Sequence, residues 1–463
     1  MDKEYDMIAI GGGPAGSTAA TLVAMQGHKV LLLERERFPR YQIGESLLPA
    51  TINGIVQLLG AEDSVKQAGF IKKRGGTFSW GKETDVWTLN FGSSPVVGDP
   101  NDSNRVYAYE VKRDRFDRIL LDNAREKGVE VREQHRVKNL VWSSDRVTGV
   151  VFGDPNGREE RATARFVVDA SGHQSKMAQQ VGDRLYSQLY RNIAIYGYFV
   201  NGKRLPEPDS GNVLFEAFDD GWLWYIPLDD TLTSVGAVLP KERTGIKENQ
   251  GNLAGTLQDY IAASPIISEY LAGAQPARET PYGEIRMRQE FSYCHSHFWK
   301  PGILLVGDAA CFIDVLLSSG VHLATYGALL AARSINTALR GEIDEAVCLH
   351  EFELRYRLEY SRFYQLLSGL YDMEKERPTY HAWLRKWLRD TNAFSLEPFE
   401  QNVDRLIREK RPLPKNMSSV EFLRQLNGKM LLTAAIAQME QVESLPAIEG
   451  NLVPSPDRLH WLD

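Results

Sequence analysis

Three kinds of residue in this chain have the type and spacing to do chemistry. The first is an amine, Lys72, eight residues before Trp80 in Ile71-Lys-Lys-Arg-Gly-Gly-Thr-Phe-Ser-Trp80. A lysine amine is nucleophilic once deprotonated, and burial lowers its pKa readily. Taken alone, with Lys73 and Arg74 beside it, Lys72 reads as part of a solvated charge run. Its standing depends on its neighbours. The second is a carboxylate, Glu45, in Gly44-Glu45-Ser46-Leu47-Leu48-Pro49. The third is Gly11-Gly12-Gly13-Pro14-Ala15-Gly16, which fits G-x-G-x-x-G. Such glycines let backbone amides and a helix N-terminus approach a pyrophosphate with no side chain in between.

The elements around the glycines must place them. Asp6 to Ile10 is a short apolar run that predicts a buried parallel strand, and Ser17 to Met25 has helical composition. Val30-Leu-Leu-Leu-Glu34 predicts the next strand, with an acid at its end suited to ribose hydroxyls. Strand, glycines, helix, strand and acid in that order indicate a dinucleotide site, whereas a lone G-x-G-x-x-G is a weak signal. Arg113-Asp-Arg-Phe116-Asp117 opens a predicted helix ending near Lys127. Arg165 to Gly172 and Gly302 to Ala310 are two further strand-to-glycine turns. Thr77–Leu89 and Asn192–Val238 alternate apolar and polar residues, as in sheets with one covered face. From Ala324 onward the pattern is mainly helical. The aromatic stretches at Phe363, at Tyr380 to Trp383 and at Phe422 read as core or interdomain packing, or as a docking surface for a partner.

The 463 residues suggest two or three domains, and 43% hydrophobic with 25% charged residues are globular values. A net charge of −7 argues against a nucleic-acid partner. Cys294, Cys311 and Cys348 have neither metal-ligand nor redox-pair spacing, so no metal site is expected and a reducing cytoplasm is. No apolar run approaches the roughly 18 residues of a membrane span, and the acidic N-terminus does not read as a signal peptide.

The glycine turn, the Arg113 helix, Asp169-Ala-Ser-Gly172 and Gly307-Asp308 in this order resemble the FAD-binding scaffold of the p-hydroxybenzoate-hydroxylase-like flavoproteins. Gly221-Trp222-Leu-Trp224-Tyr-Ile226-Pro227 fits W-x-W-x-I-P, a motif of flavin-dependent halogenases. Tryptophans two apart on a strand also simply share a packed face. With Gln42 to Pro49, Arg74 to Phe78, Tyr196 to Phe199, Asp230 to Val238 and Gly320 to Tyr326, the chain resembles that family, in particular its phenol and pyrrole branch. The implied fold is α/β. A glutathione-reductase-type FAD-binding Rossmann domain (1–75, 101–185, 281–340) would be interleaved with a β-sheet substrate domain (76–100, 186–280), followed by a helical region (341–463).

The resemblance also implies a site. FAD would contact Gly11, Gly13, Pro14, Ala15, Gly16, Glu34, Arg40, Ser46, Arg113, Asp308, Gly320 and Val321. Ser319 and Gly320 would hold chloride at a helix start. Trp222, Trp224 and Pro227 would wall the chamber, with Lys72 and Glu45 catalytic. A separate flavin reductase would supply reduced FAD, and a flavin C4a-hydroperoxide would oxidise chloride to hypochlorous acid. Lys72 would capture or orient the oxidant, as a chloramine or through a hydrogen bond. An electron-rich aromatic substrate, a phenol of secondary metabolism tethered or not to a carrier protein, would then be chlorinated.

Two positions depart from the family pattern. Val315 replaces the proline of F-x-x-P-x-x-S-x-G, which frees φ and restores an N–H donor. Leu317 stands where tryptophan halogenases carry a glutamate, which points away from free tryptophan. The rival readings are an aromatic hydroxylase, a prenyl or polyene reductase, and a flavoprotein without turnover in a biosynthetic assembly.

Overall fold

The computed structural model describes residues 3–80, 86–91, 106–187, 190–219, 221–241, 252–374 and 452–462. Lys3–Ile10 is the centre of the first sheet. It pairs in parallel with Glu159–Asp169 on one side and Val30–Leu33 on the other. Ile303–Leu305 and Glu130–Arg132 extend the sheet in parallel on either flank. Val30–Leu33 is buried at every position, as expected for a strand covered on both faces. Helix Pro14–Ala24 leaves the glycine turn and packs against the 22-residue helix Ser319–Arg340. Strand order reverses about Lys3–Ile10, and in such sheets ligands bind beyond the carboxyl ends of the strands.

The second sheet runs Gln275–Pro276, Asn192–Val200, Leu232–Pro240, Gly221–Pro227, Val213–Phe218, Gly75–Ser79, Trp87–Asn90. All its neighbours are antiparallel except Val213–Phe218 with Gly75–Ser79. Alternation had suggested one covered face, but both are buried. Tyr196, Tyr198, Phe215, Trp222 and Trp224 point into the large core shared with the first sheet. Ile193, Ile195, Leu214, Leu223, Tyr225 and Val235 point the other way, under helices Leu253–Ala262 and Pro265–Tyr270. Aromatic residues had obscured the second apolar face, because Tyr and Trp count as amphipathic in a sequence pattern yet bury here.

A two-stranded ladder joins the sheets. Ile71–Lys73 pairs antiparallel with Ala108–Glu110, in register Ile71 to Glu110, Lys72 to Tyr109 and Lys73 to Ala108. Beyond Ser319–Arg340, helix Glu345–Glu374 carries Phe363, whose ring lies 5.3 Å from that of His322. The aromatic stretches at Tyr380 and Phe422 lie outside the described residues. The region expected to be helical also contains a hairpin, Val453–Pro454 with Trp461–Leu462. Trp461 is held there by Thr337 Oγ1 on its N–H (2.8 Å) and by Ser334 Oγ on its indole (2.7 Å). Among the described residues no helix is long and apolar enough to cross a membrane.

Glu216 fixes the helical cover of the second sheet, accepting from Ile266 N (3.0 Å) and Ile267 N (2.7 Å) while 3% exposed. Glu216→Ala leaves two helix-start amides unpaired. It should cost about 1–3 kcal/mol in urea unfolding, whereas a change under about 0.5 kcal/mol would show that the carboxylate is dispensable.

Candidate functional site

A cavity of about 970 Å³ opens at the carboxyl ends of the parallel strands. Gly11, Gly13, Pro14, Ala15, Glu34, Arg40, Arg113, Asp308, Gly320 and Val321 line it, ten of the positions expected to contact FAD. Gly11 has φ +101, and a Cβ there would sit 2.6 Å from the Ala170 carbonyl oxygen. Gly16 is not in the lining. A Cβ there would sit 1.9 Å from the Gly11 carbonyl oxygen, so Gly16 lets the turn close. Glu34 is fixed by Gly12 N (2.7 Å) and Glu36 N (2.8 Å), with its carboxylate at the cavity wall. A side-chain-free turn, a helix start and a fixed acid fit the pyrophosphate and ribose of a dinucleotide.

Asp117 organises the next part of the wall. It accepts from Arg113 Nε (2.7 Å) and Nη2 (3.0 Å) and from Arg40 Nη1 (3.0 Å). Arg113 also donates to the carbonyls of Ile43 (2.8 Å) and Gly44 (3.1 Å), which pins the loop leading to Glu45. Glu45 is 3% exposed and accepts from Tyr198 Oη at 2.8 Å; Tyr198 in turn meets Tyr41 Oη at 2.7 Å. Burial pushes the Glu45 carboxyl up to about 7, against the Tyr198 and Ser234 hydrogen bonds and nearby Arg113. His173 and Arg288, absent from the expected set, also line the cavity and contact each other. His173 directly follows Asp169-Ala-Ser-Gly172, so its place at the turn was the available signal.

The lysine expectation requires correction. Lys72 is exposed, with Nζ 4.8 Å from the centre of the Tyr107 ring. Successive strand residues face opposite ways, so the residue that turns inward is Lys73, 3% exposed. Its Nζ donates to Ser46 Oγ (2.7 Å), the Leu47 carbonyl (3.1 Å) and Ser318 Oγ (3.2 Å). Burial lowers its pKa, and Glu110 opposes that shift. Ser46, expected at the flavin, is therefore a ligand of Lys73. Ser318, at φ 53, precedes the helix that begins at Ser319, and Gly320 faces the cavity. The amine thus bridges the 44–49 loop to the positive end of that helix.

The tryptophans form one buried wall. Trp222 and Trp224 are 2% and 4% exposed, Pro227 is buried, and Trp80 meets Trp222 edge-on at 6.0 Å. Trp222 Nε1 donates to Tyr371 Oη (2.9 Å), which donates to Asp314 Oδ2 (3.3 Å). Asn192 reaches the same carboxylate at 3.4 Å, and Leu316 N reaches Oδ1 at 3.0 Å. Burial pushes Asp314 up to about 6, against hydrogen bonds that include one from the Val315 amide.

Known proteins place this geometry. The family described as tryptophan halogenase matches residues 6–101 and 94–393. A tryptophan 2-halogenase of Chondromyces crocatus is 35% identical over 82% of this chain and 70% of its own length. A flavin-dependent halogenase of Armillaria mellea is 33% identical over 91% and 79%. Among solved structures, the myxobacterial chondrochloren halogenase, an FAD-dependent enzyme, superposes with TM-score 0.81 at 48% identity. It covers 99% of this chain and all of its own.

Gly16→Ala forces the glycine turn open and should weaken FAD binding by about tenfold or more in a fluorescence titration; unchanged affinity would mean that the turn does not hold the cofactor. Asp314→Asn tests the buried carboxyl. A folded-state pKa raised above the unfolded value stabilises at low pH and loses that contribution as pH rises, here between about 4 and 6. The variant should therefore gain on the parent by on the order of 1–3 kcal/mol across that window, and a pH-independent difference would refute the shift.

Proposed function

This chain belongs to the tryptophan halogenase family and is a flavin-dependent halogenase, and we propose that it chlorinates a phenolic ring through Lys73. The observation that carries this is the Lys73 amine, buried beside the start of the helix at Ser319 and held by Ser46, Leu47 and Ser318. Bound FAD, reduced by a separate reductase, supplies the oxygen activation that turns chloride into a hypohalous oxidant. The glycine turn, Glu34, Arg113 and Asp308 hold the cofactor. The backbone at Ser319 and Gly320 holds chloride, aided by the positive helix end.

Lys73 receives the oxidised halogen on its amine and presents it to the ring. A partly neutral amine suits this, and burial favours the neutral form. Glu45, linked to Tyr198 and Tyr41, positions a proton between the two halves of the site. Trp80, Trp222 and Trp224 keep the substrate apart from the cofactor and exclude water. Leu317 leaves no carboxylate at the position where tryptophan enzymes have one, which favours a phenol, free or on a carrier protein. We assign 1–75, 101–185 and 281–340 to FAD and 76–100 and 186–280 to substrate, except that Arg286–Gln289 pairs with Asn192–Val200 and so belongs to the substrate sheet. The cysteines in the described residues are free thiols, which fits a reducing cytoplasm.

Turnover with a flavin reductase, NADH, FAD, oxygen and chloride should give a chlorinated phenol; chlorinated tryptophan in its place would overturn the substrate assignment, and a hydroxylated product the chemistry. Lys73→Ala should lower chlorination by about 100-fold or more with FAD affinity within about twofold, while Lys72→Ala stays within about twofold of the parent. The reverse ranking of the two variants would reject Lys73.

A further inference from the structure

The ladder that turns Lys73 inward brings a second ionisable group to the same face. Ile71 opposes Glu110 and Lys73 opposes Ala108, so Lys73 and Glu110 are diagonal neighbours, with Lys72 and Tyr109 on the opposite side. Glu110 has no solvent exposure. It does not touch the amine directly. Lys73 Nζ donates to Ser46 Oγ at 2.7 Å, and Ser46 Oγ donates to Glu110 Oε1 at 3.0 Å. A hydroxyl both accepts and donates, so this chain of atoms can pass a proton either way. Glu110 Oε2 is buried without a hydrogen-bond partner among the described residues. An anionic carboxylate would leave charge on that bare oxygen, whereas a neutral acid fits it. Burial pushes Glu110 up to about 7, with Glu45 adding to it and Lys73 and Ser46 opposing.

We propose that Glu110 is the proton donor to Lys73, acting through Ser46 Oγ as halogen leaves the lysine nitrogen for the substrate ring. The proposal rests on Lys73 as the halogen carrier. Hypochlorous acid first meets the neutral amine; the N–Cl bond forms, the O–Cl bond breaks, and the displaced amine proton ends in water. In the transfer, the ring's π electrons form the C–Cl bond while the N–Cl pair stays on nitrogen. Nitrogen takes the Ser46 hydroxyl proton, and Ser46 takes that of Glu110. The proton lost from the ring carbon goes to solvent, and one proton from solvent later restores the pair. No other oxidant or reductant enters. Protonation of nitrogen makes amine, not amide anion, the leaving group, which is where a general acid contributes.

The step can be isolated in the FAD-loaded full-length protein. One turnover with photoreduced FAD, oxygen and chloride, without substrate, should leave chlorine on the Lys73 peptide by mass spectrometry. Resorcinol then serves as the acceptor, and loss of that chlorine is followed by rapid quench. In the parent, transfer should slow as pH rises past a point at or above about 7. The chlorinated nitrogen is uncharged and no longer holds Glu110 down, while Glu45 still raises it. Glu110→Gln should load chlorine normally but transfer it about 100-fold more slowly, with no such pH limb. Ser46→Ala should slow transfer as far, the double variant should transfer no more slowly than either, and Glu110→Asp should recover part of the rate. A disturbance of packing alone would slow loading too and keep the pH limb. Transfer by Glu110→Gln within about threefold of the parent, with the parent's pH profile, would overturn the proposal. Absence of chlorine from Lys73 in the parent would instead overturn the carrier role, and this inference with it.

Discussion

A cation removed from water is the constraint around which the centre of this protein is arranged. An unpaired buried ammonium costs several kcal/mol or shifts its pKa until it is neutral. Lys73 does not escape that cost by reaching a carboxylate directly. It is met by a hydroxyl from the 44–49 loop, a carbonyl from the same loop and a hydroxyl from the start of the long helix. Two segments far apart in sequence must therefore converge on the nitrogen carried by a third. The ladder that carries Lys73 is short because its job is orientation: its pairing with Ala108–Glu110 fixes which way the amine points.

The surrounding fold supplies rigid supports for that convergence. The parallel sheet ends in the glycine turn, and the helix that leaves it packs on Ser319–Arg340, whose first residues face both the cavity and the amine. Arg113 and Asp117 pin the loop on the other side. The second sheet, covered on both faces, presents its tryptophans as a stiff wall. The Trp222–Tyr371–Asp314 hydrogen bonds couple that wall to the segment that enters the helix at Ser319. Cofactor cradle, lysine and aromatic wall are thus held by packed elements, and a site held that way keeps its geometry through a reaction.

Much of this was legible in the residues. Gly11 to Gly16 marked the tight turn from strand to helix, because Gly11 takes a positive φ and Gly16 leaves no room for a Cβ. The Arg113 helix and the strand ending at Asp169 followed from periodicity and glycine placement. The choice between Lys72 and Lys73 turned on strand parity, a shift of one residue that reverses the face. Counting back from Trp80 could not settle it, since Arg74 interrupts the two strands. Glu110 left no trace in the sequence, because it reaches Lys73 only across a ladder and through Ser46. The terminal hairpin was hidden by its few residues and by helical composition upstream of it.

The central claim is that one amine, Lys73, sits away from water with its pKa depressed. Lysine side chains enriched in 13C and 15N, titrated by NMR in the parent and in the Lys72→Arg and Lys73→Arg variants, measure this directly. The account predicts a resonance titrating below the ordinary lysine value of about 10.4, kept in Lys72→Arg and lost in Lys73→Arg. A depressed resonance that vanishes with Lys72, or a set of lysines that all titrate normally, would contradict it.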